Sequence, residues 1–262
     1  MNVAVNGAAG AMGRRVVSLV SQASQCRLVC ALERAGHPAL GQDAGVLVGA
    51  GALGIRLGVD LCGAPDVLID FSAPESTMER ARQCAAAGVA FVTGTTGLTE
   101  AELAELRDDV ATRVPLLAAP NMSIGVNLLF RLAAEVARAL GDGYDIEIVE
   151  AHHRRKKDAP SGTAAELARR ICAALERDPA VVLRHGREGL CGPRTPEEIG
   201  IHAVRGGDIV GDHTVIFAAE GERVELVHKA SSRDVFARGA VRAAVFLAGR
   251  EPGVYSMQDV LA

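Results

Sequence analysis

One segment of the chain concentrates side chains that could move protons and bind anions. Residues 150–163 read Glu-Ala-His-His-Arg-Arg-Lys-Lys-Asp-Ala-Pro-Ser-Gly-Thr, which brings two histidines and four cations close together. Histidine and lysine are common proton donors in enzymes, and clustered cations in a chain of net charge −4 indicate an anionic partner. Ser161, Gly162 and Thr163 could begin a helix whose free backbone N–H groups hold a carboxylate.

The two adjacent histidines predict two different tasks. His152 and His153 would point to opposite sides of an extended segment, so we expect one to face a substrate while the other orients or packs. A lysine of the same segment is the other natural proton donor. The alternatives are a solvated basic loop or a nucleic-acid patch, although no aromatic residues alternate with the cations. We predict no metal site, because further ligands at suitable spacing are missing and the cations would repel a divalent ion.

A second candidate site is the glycine-rich turn Gly7-Ala8-Ala9-Gly10-Ala11-Met12-Gly13. It follows a strand-like stretch and opens a helical one, which is the setting in which such spacing predicts dinucleotide binding. Gly7 permits the sharp turn, Gly10 lets the backbone approach a pyrophosphate, and Gly13 allows close packing of helix and strand. The helix N-terminus would present N–H groups and its positive dipole end to the phosphates. An ordinary strand-to-helix turn is the alternative.

Two residues at the end of the second predicted strand refine the cofactor prediction. Glu33 follows the turn by roughly 20 residues, where an acidic group would accept hydrogen bonds from an adenosine ribose. Its alternative is a solvated loop carboxylate. Arg34 could pair with a 2′-phosphate, so the couple predicts binding of both NADH and NADPH.

The composition limits the class of protein. With 49% hydrophobic and 23% charged residues, the 262-residue chain is typical of a globular α/β protein. No stretch approaches the roughly 20 apolar residues of a membrane span, and no secretory signal precedes the first strand, so we expect a cytoplasmic protein without a membrane partner. Six scattered cysteines without a C-x-x-C pair predict buried, small hydrophobic side chains.

The periodicity of the first half predicts a parallel sheet covered by helices. Apolar runs indicate strands at Val3–Asn6, Leu28–Leu32, Val67–Phe71, Val89–Thr93 and Leu116–Ala119. Helical patterns lie between them at Met12–Ala23, Glu75–Ala87 and Glu100–Ala111, the last with a capping box of Thr99 and Glu102. The glycine-rich residues 41–58 resemble a flexible loop.

A different pattern begins near Ser123 and predicts a second domain. A helix to Leu140, a strand over Asp145–Ala151 and a helix over Thr163–Leu175 are followed by strand-like runs at Ile199–Val204, Asp212–Ala219 and Arg223–Ala230. Strands joined by short turns favour an open mixed or antiparallel sheet. We therefore expect a substrate domain over residues 123–233, and a dinucleotide-binding domain made of 1–122 and 234–262, to which the final helix returns.

These residues together resemble the 4-hydroxy-tetrahydrodipicolinate reductase (dihydrodipicolinate reductase) family along nearly the whole chain. The resemblance is carried by the glycine turn and by the segments at residues 70–75, 94–97, 121–127, 150–163, 205–211 and 228–233. The basic segment is far more specific than the turn. The resemblance implies a Rossmann-type N-terminal domain, an α+β C-terminal domain for substrate and oligomerisation, and a homotetramer formed through the sheet of that second domain.

The implied activity is the NAD(P)H-dependent reduction of a cyclic dicarboxylate with loss of water, in the diaminopimelate route of lysine biosynthesis. The resemblance implies that His152 is the catalytic acid or base and Lys156 a proton donor. His153, Ser161, Gly162 and Thr163 would hold the substrate carboxylates. Residues along the cofactor would be Phe71, Gly94, Thr95, Thr96, Ala119, Pro120, Asn121 and Met122. Two other classes remain as alternatives: a different two-domain nicotinamide enzyme, such as an amino-acid dehydrogenase, and a non-enzymatic dinucleotide sensor.

Overall fold

The alternating strands and helices of the first part of the chain form six strands of a seven-stranded, fully parallel sheet, and the end of the chain adds the seventh. The structure, a computed structural model, describes all 262 residues. It separates into one unit of Met1–Ile124 with Asp234–Ala262 and a second unit of Gly125–Arg233. No helix has the length and apolar character needed to cross a membrane.

The first unit has short strands with helices packed on both faces of the sheet. In chain order its elements are β1 (Asn2–Asn6), α1 (Ala11–Gln22), β2 (Arg27–Leu32), α2 (Ala44–Leu47), β3 (Leu57–Gly58), β4 (Val67–Asp70), α3 (Pro74–Ala87), β5 (Ala90–Thr93), α4 (Glu100–Asp108) and β6 (Pro115–Ala118). A 3-10 turn, Val110–Thr112, follows α4. Residues of α1 share one core with β1, β2 and β4, while α3 and α4 pack on the opposite face.

The second unit has a five-stranded mixed sheet in the order β11-β10-β7-β9-β8. Its elements are α5 (Ile124–Leu140), β7 (Asp145–His152), α6 (Gly162–Ala174), α7 (Pro179–Val182), β8 (Leu183–His185), β9 (Ile199–Arg205), β10 (Gly211–Ala219) and β11 (Glu222–Ala230). Strands β7, β9 and β8 run parallel, and β10 runs antiparallel to both of its neighbours. Helices α5 and α6 bury their apolar sides with Ile146 and Ile148 of the central strand β7.

The chain then completes the first unit with α8 (Asp234–Leu247), β12 (Gly253–Tyr255) and a final 3-10 turn, Asp259–Leu261. Helix α8 buries four alanines and Leu247 in the core that also contains residues of β1 and β4. Strand β12 extends the parallel sheet beyond β6. The order of strands is therefore β12-β6-β5-β4-β1-β2-β3.

The predicted fold class is confirmed, with local corrections. Residues 41–58 are more ordered than a flexible loop, because Asp43 caps α2 and accepts N–H groups from Gly45, Val46, Leu53 and Gly54. The capping box of Thr99 and Glu102 is present, but α4 ends at Asp108, earlier than predicted. Two of the cysteines expected to be buried, Cys62 and Cys191, are exposed.

Candidate active site

A charged cluster lies at the end of β7, the central strand of the second unit. Alternation along a strand directs residues 146, 148, 150 and 152 to one face, and Glu150 on that face is fully buried. The sheet register adds a neighbour from each side: His213 of β10 pairs with Glu150, and Arg205 of β9 pairs with His152. The cluster therefore depends on the pairing of three strands.

The buried carboxylate of Glu150 accepts hydrogen bonds from three groups. The two terminal nitrogens of Arg205 donate at 2.7 and 2.8 Å, the backbone N–H of Ser161 donates at 3.0 Å, and Nδ1 of His152 lies 2.6 Å away. Burial alone would raise the pKa of Glu150, but these hydrogen bonds outweigh it and lower the pKa below its usual value. Glu150 is therefore an anion at neutral pH.

The contact with Glu150 fixes the orientation of the His152 ring. Nδ1 is held by the carboxylate, so Nε2 is the ring nitrogen left for other chemistry. A Cβ at Gly211 would lie 3.1 Å from Nε2, so the absence of a side chain there leaves room for the ring. The His152 side chain is 12% exposed. A mostly buried imidazole with one nitrogen bound to a carboxylate is a suitable general acid or base.

His213 supports the other side of the His152 ring. The two rings meet edge to face, with their centroids 5.2 Å apart. Burial, followed by the nearby charge of His152, lowers the pKa of His213 to about 4, so its imidazole is neutral at physiological pH. Ser161 Oγ lies 3.1 Å from Nε2 of His213 and accepts the N–H of Ala164, which makes Ser161 the N-cap of α6.

The loop between β7 and α6 carries the remaining predicted substrate residues. Nδ1 of His153 is buried without a hydrogen-bond partner. The ammonium of Lys156 pairs with Asp158 at 2.8 Å, and no contact joins it to His152. Gly162 and Thr163 are the first residues of α6, at the positive end of its dipole.

The glycine turn of the first unit has the steric character of a cofactor cradle. Gly7 has φ of +70°, and a Cβ there would lie 2.5 Å from the Phe71 carbonyl oxygen. A Cβ at Gly13 would lie 2.0 Å from the Gly7 carbonyl oxygen. Gly10 is the N-cap of α1 and provides no capping side chain, and no acidic residue lies in the first turn. The turn therefore fits a dinucleotide pyrophosphate.

Glu33 and Arg34 differ in their surroundings. The carboxylate of Glu33 accepts the N–H of Ala9 in the glycine turn at 3.1 Å and the N–H of Arg34 at 3.0 Å. Glu33 is therefore tied to the turn in this structure, while the side chain of Arg34 is exposed and makes no ion pair.

A buried aspartate to which the sequence analysis gave no role organises the predicted cofactor loops. Asp70, at the end of β4, accepts hydrogen bonds from Asn6, Ser72, Thr77, Thr93 and Thr95. Thr95 Oγ1 also accepts the N–H of Ser72, and the Phe71 ring occupies the space where a Cβ at Gly94 would lie, at 2.2 Å. The hydroxyl-bearing residues that follow β4 and β5 are the feature of the sequence that could have indicated this hydrogen-bond network. Thr96 is exposed.

The segment after β6 is also fixed. Ala119 donates its N–H to the Thr93 carbonyl, and Asn121 Oδ1 accepts the N–H of Ser123. Met122 is buried, and its carbonyl oxygen would lie 1.7 Å from a Cβ at Gly239 of α8. Pro120 is exposed.

A parallel α/β unit with a glycine turn, and a mixed-sheet unit with a buried histidine–carboxylate cluster, define the class of two-domain nicotinamide-dependent oxidoreductases. Two family sequence models match the chain: "Dihydrodipicolinate reductase, N-terminus" over residues 1–122 and "Dihydrodipicolinate reductase, C-terminus" over residues 125–261. The chain belongs to the dihydrodipicolinate reductase family, as the sequence resemblance predicted.

Individual proteins support this membership. The chain is 51% identical to the 4-hydroxy-tetrahydrodipicolinate reductase of Syntrophotalea carbinolica, with 100% of this chain and 98% of the relative covered. It is 52% identical to the enzyme of the same name from Anaeromyxobacter dehalogenans, with 99% and 97% covered. Among solved structures it is similar to a dipicolinate-bound dihydrodipicolinate reductase from Paenisporosarcina sp. TG-14, with 25% identity, a TM-score of 0.79, and 100% and 99% covered.

Proposed function

We propose that this chain reduces 4-hydroxy-tetrahydrodipicolinate to tetrahydrodipicolinate with loss of water, using NADH or NADPH, in the diaminopimelate route of lysine biosynthesis. The reaction consumes one reduced cofactor and one proton and releases the oxidised cofactor and water. The names of relatives about half identical over the full chain support it. The observation that carries the chemistry is the His152 ring held at Nδ1 by the buried Glu150 carboxylate.

The first unit, with the proposed boundaries 1–122 and 234–262, binds the cofactor. When bound, the reduced nicotinamide supplies the hydride. Gly7, Ala8, Ala9, Gly10, Ala11, Met12 and Gly13 hold the pyrophosphate, and Phe71, Gly94, Thr95, Thr96, Ala119, Pro120, Asn121 and Met122 line the rest of the molecule. Glu33 holds the turn in place by accepting the N–H of Ala9, and it accepts hydrogen bonds from the hydroxyl groups of the adenosine ribose. Arg34, exposed and without an ion pair, is free to approach the 2′-phosphate of NADPH.

His152 donates the proton that the reduced substrate takes up. Its Nε2 carries that proton, because Nδ1 is committed to Glu150. The Glu150 carboxylate fixes the direction of the His152 ring through its contact with Nδ1, so Glu150 is a positioning residue. Lys156 is the second proton donor. Its ion pair with Asp158, whose side chain is 63% exposed, is of the kind that costs little to break.

The second unit, proposed to span residues 123–233, binds the two substrate carboxylates. Gly162 and Thr163 stand at the start of α6, where the positive end of the helix dipole favours a carboxylate. His153 adds a ring whose Nδ1 has no partner. Ser161 contributes through its position at the N-cap, since its hydroxyl is already engaged by Ala164 and His213.

The chain works as a homotetramer in the cytoplasm, without nucleic acid or membrane as a partner. The face of the second sheet opposite to Ile146 and Ile148 supports the assembly proposal. Val204 and Val227 on that face are 47% and 51% exposed, and such a β-face is a suitable surface for association. The family resemblance is the other support.

A coupled assay tests the reaction. Aspartate semialdehyde, pyruvate and the preceding synthase generate the substrate, and this protein should then oxidise NADH, which is followed by absorbance. Replacing both His152→Ala and Lys156→Ala should reduce turnover by a factor on the order of 10³ or more, with nearly unchanged NADH affinity. Lys157→Ala, an exposed neighbour, is the matched control and should keep full activity.

The alternatives give different results in the same experiment. An amino-acid dehydrogenase would oxidise no NADH with this substrate. A dinucleotide sensor would bind NADH without turnover in the wild type. If the double variant turned over normally, the roles given to His152 and Lys156 would be wrong. Pyridine-2,6-dicarboxylate, a planar dicarboxylate, should inhibit in competition with the substrate.

A further inference from the structure

Two cysteines that the reaction does not use lie side by side in the first unit. Cys30 is on β2 and is fully buried, and Cys62 lies in the turn after β3 and is exposed. Their sulfur atoms are 3.0 Å apart, and the backbone N–H of Cys62 also donates to the Cys30 sulfur at 3.3 Å. No other pair among the six cysteines has such a contact, and all six are free thiols.

The backbone around Cys62 is built to hold this approach. Gly63 has φ of +73°, and a Cβ there would lie 2.6 Å from the carbonyl oxygen of Val29, the neighbour of Cys30 on β2. The Cys30 thiol also points to the carbonyl of Asp60, at 3.8 Å. Asp60 and Gly63, on either side of Cys62 in the sequence, therefore pack closely against β2.

We propose that Cys30 and Cys62 are a redox-active thiol pair, which small disulfides such as oxidised glutathione convert to an intramolecular disulfide. A disulfide needs a sulfur–sulfur distance of about 2.05 Å, so the two atoms must approach by about 1 Å. The side chain of Cys62 is exposed, so its sulfur can move by this distance. In reducing compartments such pairs are usually transient and redox-sensing, in contrast to structural disulfides.

The accessibility of the two thiols sets the order of the steps. Burial raises the pKa of the Cys30 thiol to about 12, which makes Cys30 a poor first nucleophile. The Cys62 sulfur attacks one sulfur of oxidised glutathione, whose disulfide bond breaks and releases the first glutathione thiol. The Cys30 sulfur then attacks the Cys62 sulfur and releases the second. Two cysteine thiols are oxidised, one glutathione disulfide is reduced, and the two cysteine protons end on the released thiols.

The bond would enclose residues 31–61 in a covalent loop. That loop contains Glu33, which is bonded to the glycine turn, and Arg34. Closing such a loop removes freedom from the unfolded chain and stabilises the fold. We expect oxidation to raise the midpoint of thermal unfolding by roughly 5–10 °C, reversibly with dithiothreitol.

The experiment treats the full-length protein with oxidised glutathione, blocks free thiols, digests it with trypsin without reduction and analyses the peptides by mass spectrometry. Cleavage at arginine places the two thiols in separate peptides, 28–34 and 57–80, each with a single cysteine. The expected product is these two peptides linked, with the whole protein lighter by two hydrogen atoms. Cys191→Ser, which removes an exposed but unpaired thiol, should behave as the wild type, and Cys62→Ser should give no linked peptide.

Three results would overturn the proposal. The first is a persistent glutathione adduct on Cys62 without the link to Cys30. The second is modification of Cys191 while Cys30 and Cys62 stay reduced. The third is a linked peptide without a rise in the unfolding midpoint, because the bond would then have formed in unfolded or distorted chains.

Discussion

At the scale of single residues, the candidate active site rests on one buried carboxylate with complementary partners. Glu150 has no exposed surface, and a buried anion is tolerated only when donors surround it. Arg205 provides a bidentate ion pair, and Ser161 and His152 supply further contacts. One of the contacts that stabilise the anion also orients His152, the proposed proton donor, so the structure of the cluster and its proposed reactivity depend on one group.

The first residue-scale prediction concerns pH and His213. Its pKa is lowered to about 4 in the folded protein, from an ordinary value near 6.5. Between these pH values the unfolded chain binds a proton that the folded chain does not, so the free energy of unfolding decreases as the pH falls. The loss should reach at most roughly 3 kcal/mol and be absent above about pH 7. Urea unfolding at several pH values measures it.

A matched pair of variants isolates this contribution. His213→Gln should flatten the decline between about pH 6.5 and 4, whereas His185→Gln, at an exposed position, should keep the wild-type slope. An unchanged slope in His213→Gln would contradict the prediction.

The sequence indicated only part of this cluster. His152 could be predicted as a candidate site residue because it lies in a segment of unusual charge. The functions of Arg205 and His213 could not, because they depend on the register of β9 and β10 with β7. The sequence carries no direct sign of which residue of a distant strand faces Glu150.

At the scale of elements, the glycine turn depends on close contact between α1 and the backbone before it. We predict that Gly13→Ala lowers the free energy of unfolding by roughly 2–3 kcal/mol, because its Cβ would lie 2.0 Å from the Gly7 carbonyl oxygen. NADH affinity should fall as well, since α1 would have to shift away from the turn. Calorimetric titration with NADH and urea unfolding measure the two effects.

The control for this variant is Gly58→Ala in the edge strand β3, where a Cβ would meet no atom within 4 Å. Its free energy of unfolding should change by less than about 0.5 kcal/mol. Equal effects in the two variants would mean that close packing at Gly13 is unimportant.

The longer elements could be predicted from the periodicity of the sequence, and the shortest ones could not. Strands such as β4 and β5 and helices such as α3 differ from their predicted bounds by a residue or so. In contrast, β3, β8 and β12 have only two or three residues each, and they exist because β2, β9 and β6 offer a free edge. That information lies in the partner strand, so local sequence cannot supply it.

At the scale of the whole molecule, the open face of the second sheet is the surface to test. We predict that the wild type is a tetramer by light scattering and that Val227→Glu gives smaller species, because a buried charge without a partner opposes association. Val181→Glu on α7, where the valine is 77% exposed, should leave the tetramer intact. A monomeric wild type, or an unchanged Val227→Glu tetramer, would contradict the assembly through this face.

The return of the chain from the second unit to the first has a consequence for protein synthesis. Until α8 is made, the core formed by β1, β4 and α1 lacks one of its helices, whereas residues 125–233 are already complete. On the ribosome, residues 125–233 can therefore finish folding before residues 1–124, although they are made later. A chain truncated after Arg233 should be digested by protease in residues 1–124 while 125–233 resists; equal resistance of both parts would contradict this order.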